Sequence, residues 1–202
     1  MLSQELRSLI LSGVYTAGMQ LRQGEIARSF GVSHIPIREA LQTLKHEGLI
    51  EQITNRGAFV AAIGLGDLQN IWDMRRVLEP MAAVQAIAHT TEIGLRRVEK
   101  IIDMADQETS NLELVRLNWE FHLALYEPCG NDLLLEFIRA LYRKADRYSC
   151  MLWANHDYGH QASQEHRRIL EFYRQRDVEQ VKINILEHIN EVERLVRIPF
   201  EG

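Results

Sequence analysis

The stretch Gly31-Val32-Ser33-His34-Ile35-Pro36-Ile37-Arg38-Glu39-Ala40-Leu41-Gln42-Thr43-Leu44-Lys45-His46-Glu47-Gly48-Leu49-Ile50 decides the fold of the first third of the chain. Ser33 stands where a helix N-cap is wanted, and Pro36 falls in the first turn, where its missing N–H breaks no intrahelical bond. Gly48 supplies the stop. Between them Ile37, Ala40, Leu41 and Leu44 recur at helical spacing as a buried stripe, which leaves His34, Arg38, Gln42 and Lys45 on a polar, basic outer face.

On the amino-terminal side, Ser3, Leu6, Leu9 and Ile10 suit a short amphipathic helix over residues 3–12 that Gly13 ends, with a turn at Ala17-Gly18 before Leu21. Gly24 to Phe30 predicts a second short helix with Ile26, Ala27 and Phe30 inward, and Gly31-Val32-Ser33 is the tight connection into the quoted helix. Two helices joined this way form a helix-turn-helix. On the other side, Leu49–Ile53 and Ala58–Ala61 are strand-like around Thr54-Asn55-Arg56-Gly57, a β-hairpin read as a wing.

Gly64-Leu65-Gly66 reads as a linker, so the expected domains are residues 1–64, a winged helix-turn-helix, and 65–202, an all-α bundle. The fold class is therefore mainly α. Six helices are predicted in the second part: about 67–89, kinked or divided by Pro80; Thr91 to Glu108; one capped by the Ser110/Glu113 box and stopped by Pro128 and Gly130; one capped by Asn131; about 161–175; and one capped by Asp177 with Gln180 that runs to Arg197.

The formal net charge of the 202 residues is −5, which by itself argues against a polyanion partner. The distribution argues otherwise. Residues 1–66 hold 6 Lys and Arg against 5 Asp and Glu, whereas the remainder holds 17 against 23. Any contact with DNA phosphates belongs to the first third. Cys129 and Cys150 form no close-spaced metal pair or disulfide framework, and there is neither a signal-peptide pattern nor a long apolar run. A cytoplasmic protein without membrane contact is expected.

A recognition helix places the side chains of its first turns at base edges in the major groove. Here these are Ser33, His34, Ile35 and Arg38. Arg38 suits a bidentate contact to guanine or a phosphate clamp, and Ile35 suits a thymine methyl group. Arg56 and Gly57 at the wing tip suit the minor groove or a phosphate. His34 makes the contact sensitive to pH near neutrality.

Three of the eight histidines fall where apolar residues would be expected. His122 follows Asn118 by one helical turn beside Phe121 and Leu125. His166 lies in line with Ala162, Ile169, Leu170 and Tyr173, and His188 continues the stripe of Val181, Ile185, Val192 and Leu195. Three helices thus each aim an imidazole inward. Spacing alone leaves open hydrogen-bonded core histidines or a shared divalent cation, which would satisfy all three at once. His156 and His160 stand at i, i+4, but Gly159 and polar neighbours predict a solvated loop there. His89 falls near a helix end, where it meets the dipole favourably.

Gly31-Val32-Ser33, Pro36-Ile37-Arg38-Glu39-Ala40-Leu41, Leu44, Glu47-Gly48-Leu49-Ile50 and Arg56-Gly57 together resemble the winged helix of GntR-type bacterial transcription regulators over nearly all of residues 3–62. The resemblance implies DNA contacts by Ser33, His34, Arg38, Arg56 and Gly57. The family commonly has Arg at position 34 and a larger polar residue at position 24, where this chain has His34 and Gly24, so a different operator is implied. Asn118-Trp119-Glu120-Phe121-His122, Glu165-His166-Arg167-Arg168-Ile169-Leu170 and Glu187-His188, with Arg75–Pro80 and Gly130-Asn131, resemble the ligand-binding FCD domain of the FadR subgroup, in its six-helix VanR-like form. That resemblance implies a zinc or nickel ion on His122, His166, His188 and Asn118, and a small organic or sugar acid as effector. The family usually has Asp where this chain has Asn118, a weaker, neutral ligand. Arg75 resembles the position that pairs with the effector carboxylate; an ion pair with a residue such as Glu79 is the other reading. Arg143, Tyr148 and Asn190 are the expected pocket lining.

The resulting expectation is a ligand-responsive transcription regulator, a repressor, acting as a homodimer on a pseudo-palindromic operator, and not an enzyme. The dimer follows because one module makes few base contacts and two linked half-sites multiply affinity; by analogy the bundle supplies its interface. Two alternatives remain from the residues: a metal-dependent hydrolase with the three histidines as its centre, and a constitutive DNA-binding protein whose bundle only dimerises.

Overall fold

The computed structural model describes residues 2–62, 64–153 and 156–198, leaving aside the side chains of His156 and Asp157. The chain divides into two compact units, Met1–Gly64 and Leu65–Gly202.

The first unit contains α1 (Leu2–Leu11), β1 (Gln20–Leu21), α2 (Gln23–Phe30), α3 (His34–His46), β2 (Ile50–Ile53) and β3 (Gly57–Val60). Leu6 and Ile10 of α1, Ile26 and Ala27 of α2, and Ile37, Ala40, Leu41 and Leu44 of α3 are buried in one cluster with Leu21, Leu49, Ile50, Ala58 and Val60. The helical stripe of the quoted stretch is the floor of this core. Ser33 occupies the N-cap position, yet its side chain makes no capping bond. The reason lies in the next turn: the N3 residue is Pro36, which has no N–H to offer. At the far end Leu49 donates to the Leu44 carbonyl and Gly48 to that of Lys45, with Gly48 at φ 75°, a left-handed closure that glycine adopts without strain.

The expected hairpin is present, β2 pairing antiparallel with β3 from Ile50–Val60 to Ile53–Gly57. The sheet also holds a third strand that two residues could not announce by alternation: β1 pairs antiparallel with β3, Gln20 opposite Phe59, giving the order β1-β3-β2. β3 is thus central.

The second unit contains α4 (Leu65–Ile87), α5 (Glu92–Gln107), α6 (Asn111–Tyr126), a 3₁₀ turn (Glu127–Cys129), α7 (Asp132–Trp153), α8 (His156–Gln175) and α9 (Val178–Arg197). α4 packs on α7 and α9, α5 on α6 and α8, α6 also on α7, and α8 on α9. The predicted six helices are there, with three corrections. Pro80 does not divide α4, which continues through it; only the bond to the Arg76 carbonyl is forfeited. The Ser110 capping box does not form, because Glu108 Oε1 already accepts from Thr109 N (2.7 Å) and Ser110 N (2.8 Å), while Glu113 pairs with Arg116. The segment expected to be a loop at His156–His160 is instead the first turn of α8: Tyr158 is buried edge-on against Trp153, with ring centroids 5.0 Å apart, and this contact outweighs the helix cost of Gly159. His160 on that turn is exposed. The caps at Asn131 and Asp177 form as expected, accepting from Leu134 N (3.1 Å) and Gln180 N (3.0 Å). Among the described residues, no helix is long and apolar enough to cross a membrane.

Candidate functional site

The outer face of α3 carries the first group of candidates. Ser33, His34, Ile35 and Arg38 are all exposed, Ile35 to 62%. An exposed isoleucine at this place on the helix is available to a thymine methyl in the major groove. Arg38 makes no ion pair among the described residues, so its five donors remain available. At the wing tip Asn55 has φ 62° and Gly57 has φ 97°. Gln20 Nε2 donates to the Arg56 carbonyl (2.6 Å), and the Arg56 guanidinium lies 5.7 Å from the Phe59 ring centre. The unexpected strand β1 therefore braces the wing that presents Arg56. Gly24 and His34 are neighbours, a Cβ at position 24 falling 3.6 Å from His34 Cε1.

The second group lies inside the bundle. His122 of α6, His166 of α8 and His188 of α9 are buried, and one ring nitrogen from each lies within 4.8 Å of the others. Their ring centroids are 5.0 to 5.1 Å apart. The hydrogen bonds assign the tautomers. Tyr126 gives its single O–H to Glu79 Oε2 (3.0 Å), so towards His122 Nδ1 at 3.4 Å it can only accept, and the proton of His122 sits on Nδ1. A carboxylate likewise only accepts, so His188 Nδ1–H donates to Glu165 Oε2 at 2.6 Å. Both rings thereby keep Nε2 as a bare lone pair. His122 Nε2, His166 Nε2 and Asn118 Oδ1 are buried without any partner. Two bare ring nitrogens, a third imidazole able to present one, and an unpartnered amide oxygen fit a divalent cation. Burial, reinforced by the neighbouring histidines, pushes the pKa of His122 and of His166 well below the ordinary value, which keeps both neutral as a metal requires.

Beside the triad lies a buried ion pair. Arg75 Nε donates to Glu79 Oε1 at 2.6 Å, so the i, i+4 pair weighed from sequence is formed within α4. Glu79 also accepts from Tyr142 OH (2.8 Å). The guanidinium is enclosed by the rings of Trp72, Trp119 and Tyr142 at 5.0 to 5.4 Å, yet Arg75 Nη1 has no partner. Glu79 was weighed from sequence as the partner of Arg75; Tyr126 and Tyr142, which donate to it, were not singled out, since a tyrosine in an apolar stripe carries no signal of the acceptor it meets.

Tyr148 is buried, edge-on to Trp72 at 5.9 Å. Arg143 and Asn190 are not brought to the site. Arg143 is exposed because the buried face of α7 passes through Tyr142, Ala145 and Tyr148; Asn190 is exposed on α9 and accepts from Arg76 Nη1 at 3.4 Å. Glu165 is adjacent to His166 on α8, and the length of its side chain carries it across to His188 on α9.

Known proteins place this geometry. Residues 1–60 match the family model described as bacterial regulatory proteins, gntR family, and residues 70–191 match that of the FCD domain. The chain is 30% identical to the uncharacterized HTH-type transcriptional regulator YdhC of Bacillus subtilis, covering 98% of this chain and 91% of that protein. It is 25% identical to the HTH-type transcriptional repressor RspR of Escherichia coli, over 95% and 86%. Among solved structures, E. coli McbR/YncC shares the fold with a TM-score of 0.81 at 20% identity, over 98% and 96% of the two chains. A GntR family member from Pseudomonas syringae has a TM-score of 0.60 at 27% identity, over 98% and 84%.

Proposed function

We propose, from the premise that the chain belongs to the gntR family of bacterial regulatory proteins and carries an FCD domain, that it is a repressor whose operator binding is set by a small carboxylate held at a metal centre. Membership makes it a DNA-binding transcription regulator and not an enzyme. Residues 1–64 are the DNA-binding domain, with Ser33, His34, Ile35 and Arg38 at base edges and Arg56 and Gly57 at the adjacent groove or phosphate. Residues 65–202 are the ligand-binding and dimerisation domain.

The observation that carries the sensing role is the convergence of three ring nitrogens within 4.8 Å, with His122 Nε2, His166 Nε2 and Asn118 Oδ1 lacking partners. These residues and His188 would hold zinc or nickel, which supplies a Lewis-acidic point that a carboxylate oxygen can join. Arg75 supports the same reading, because its unpartnered Nη1 is a buried cationic donor suited to the second carboxylate oxygen. Filling that donor position would tie the effector to α4, the helix that follows the winged helix in sequence. Such an effector regulates only through different affinities for the DNA-competent and incompetent states.

A homodimer is the expected assembly, and its surface is the exposed apolar stripe of Met74, Val77, Met81 and Val84 on α4 with Leu133 and Phe137 on α7. Trp72 meets Tyr148 and Glu79 meets Tyr142, so the two packed helices run antiparallel, and the apolar side chains left exposed on both are the surface a second copy would cover.

The test is elemental analysis of chain purified without chelators. About one zinc or nickel per chain, lost in His122→Ala and His188→Ala, is expected; a metal-free wild type would remove the centre and favour a constitutive regulator.

A further inference from the structure

We infer that Glu165 supplies the negative charge of the histidine centre from outside its ligand set, in place of the carboxylate that Asn118 does not provide. The inference rests on the metal reading above. Three neutral imidazoles and an amide bring no charge to a divalent cation, and the neighbouring Arg75–Glu79 pair adds none. In a buried setting that deficit is expensive. Of the two carboxylates beside the cluster, Glu79 is committed to Arg75 and two tyrosine hydroxyls. Glu165 is not: among the described residues it pairs with no Arg or Lys, and it accepts from His188.

Both of its oxygens are held. Oε2 accepts from His188 Nδ1 at 2.6 Å, and Oε1 accepts from Gln161 Nε2 at 2.9 Å. Gln161 sits one turn before Glu165 on α8 and also reaches Glu191 of α9 at 3.3 Å, so the carboxylate is fixed between two helices. A carboxylate behind an imidazole does two things: it holds the ring in the tautomer with Nε2 bare, and it passes electron density to that nitrogen as the metal draws on it. Glu165 is a positioning residue, acting through His188.

The test is a double-mutant cycle on the full chain, with Zn²⁺ affinity measured by competition against a chromophoric chelator. Glu165→Gln keeps the size and an acceptor oxygen but removes the charge, and should weaken Zn²⁺ binding about 10- to 100-fold. Asn118→Asp puts a charge directly on the metal, so its gain should be at least several-fold larger in the Glu165→Gln background than in the wild type. The zinc-free Glu165→Gln chain should still unfold cooperatively, at a temperature lowered by loss of the charged hydrogen bond to His188, and Asn118→Asp should not restore that temperature although it restores Zn²⁺ affinity, a split that a purely structural role would not give. Unchanged affinity in Glu165→Gln overturns the proposal, as does an equal gain from Asn118→Asp in both backgrounds. Wild type that takes up no Zn²⁺ would instead remove the metal reading, and this inference with it.

Discussion

Lowering the pH from 7.5 to 5.5 should destabilise the metal-free bundle through His122 and His166. Both are wholly buried, and burial with neighbouring histidines holds their folded pKa well below 6.5. The unfolded chain has no such constraint and titrates near 6.5. A group whose folded pKa is depressed gains protons on unfolding once the pH falls below the unfolded value, so stability is retained above about 6.5 and lost beneath it. At pH 5.5 each unfolded histidine gains about 1.4 kcal/mol from protonation, and at pH 7.5 under about 0.1, so the pair should cost about 2.7 kcal/mol across the interval. Glu165, whose pKa stays below the ordinary carboxylate range because its bonds to His188 and Gln161 outweigh burial, titrates under this window. The assay is urea unfolding with EDTA, followed by tryptophan emission. Trp72, Trp119 and Trp153 all lie in the second unit, so the signal reports the bundle without the winged helix. A His122→Gln/His166→Gln chain has nothing to protonate at these positions and should lose that slope. If wild type and variant change equally between pH 7.5 and 5.5, the two histidines are not the buried neutral groups described here.

Arg38→Ala should weaken operator binding by about 1–3 kcal/mol and relax preference at one base pair, read by fluorescence anisotropy against single-base operator variants; equal affinity for all of them would take Arg38 out of the readout. Val77→Glu with Met81→Glu should turn the dimer into a monomer in sedimentation experiments while leaving helical circular dichroism intact. A dimer that survives both would place the interface elsewhere.

Much of this was legible because burial imposes a period. The stripes of α3, α6 and α9 follow 3.6-residue spacing, so Leu44, His122 and His188 could be assigned to the interior before any coordinates. What escaped has no period. β1 is two residues long and is held by its neighbour β3. The start of α8 depends on Tyr158 meeting Trp153, a tertiary contact that overrides a local glycine. Arg143 and Asn190 were placed in the pocket by resemblance, but Arg143 sits beside Tyr142, and adjacent helical positions face about 100° apart. Glu165 shows the opposite case: the same rotation turns it from the site that His166 enters, yet its long side chain reaches the back of His188. Backbone direction is legible in a sequence, whereas side-chain reach is decided by what lies across the gap.

The energetics of the bundle core supply a separate reason to regard it as a binding domain. Trp72 Nε1, Arg75 Nη1, Asn118 Oδ1, His122 Nε2, His166 Nε2 and Tyr173 OH are buried and unpartnered, and all six belong to the second unit. Each such atom costs about 1–3 kcal/mol, a heavy load on a net stability of about 5–15 kcal/mol. The Arg75–Glu79 pair does not offset it, since a buried ion pair often stabilises no better than well-packed apolar side chains of the same volume. The winged helix shows no such atom among the described residues and closes its core with aliphatic side chains. A ligand that engages the native bundle returns stability by mass action, about 2.7 kcal/mol at a hundredfold excess over its dissociation constant. Pairing of Arg75 Nη1, Asn118 Oδ1, His122 Nε2 and His166 Nε2 by an ion and its carboxylate would therefore raise the bundle's stability, as a sensing domain needs and a dimerisation domain does not.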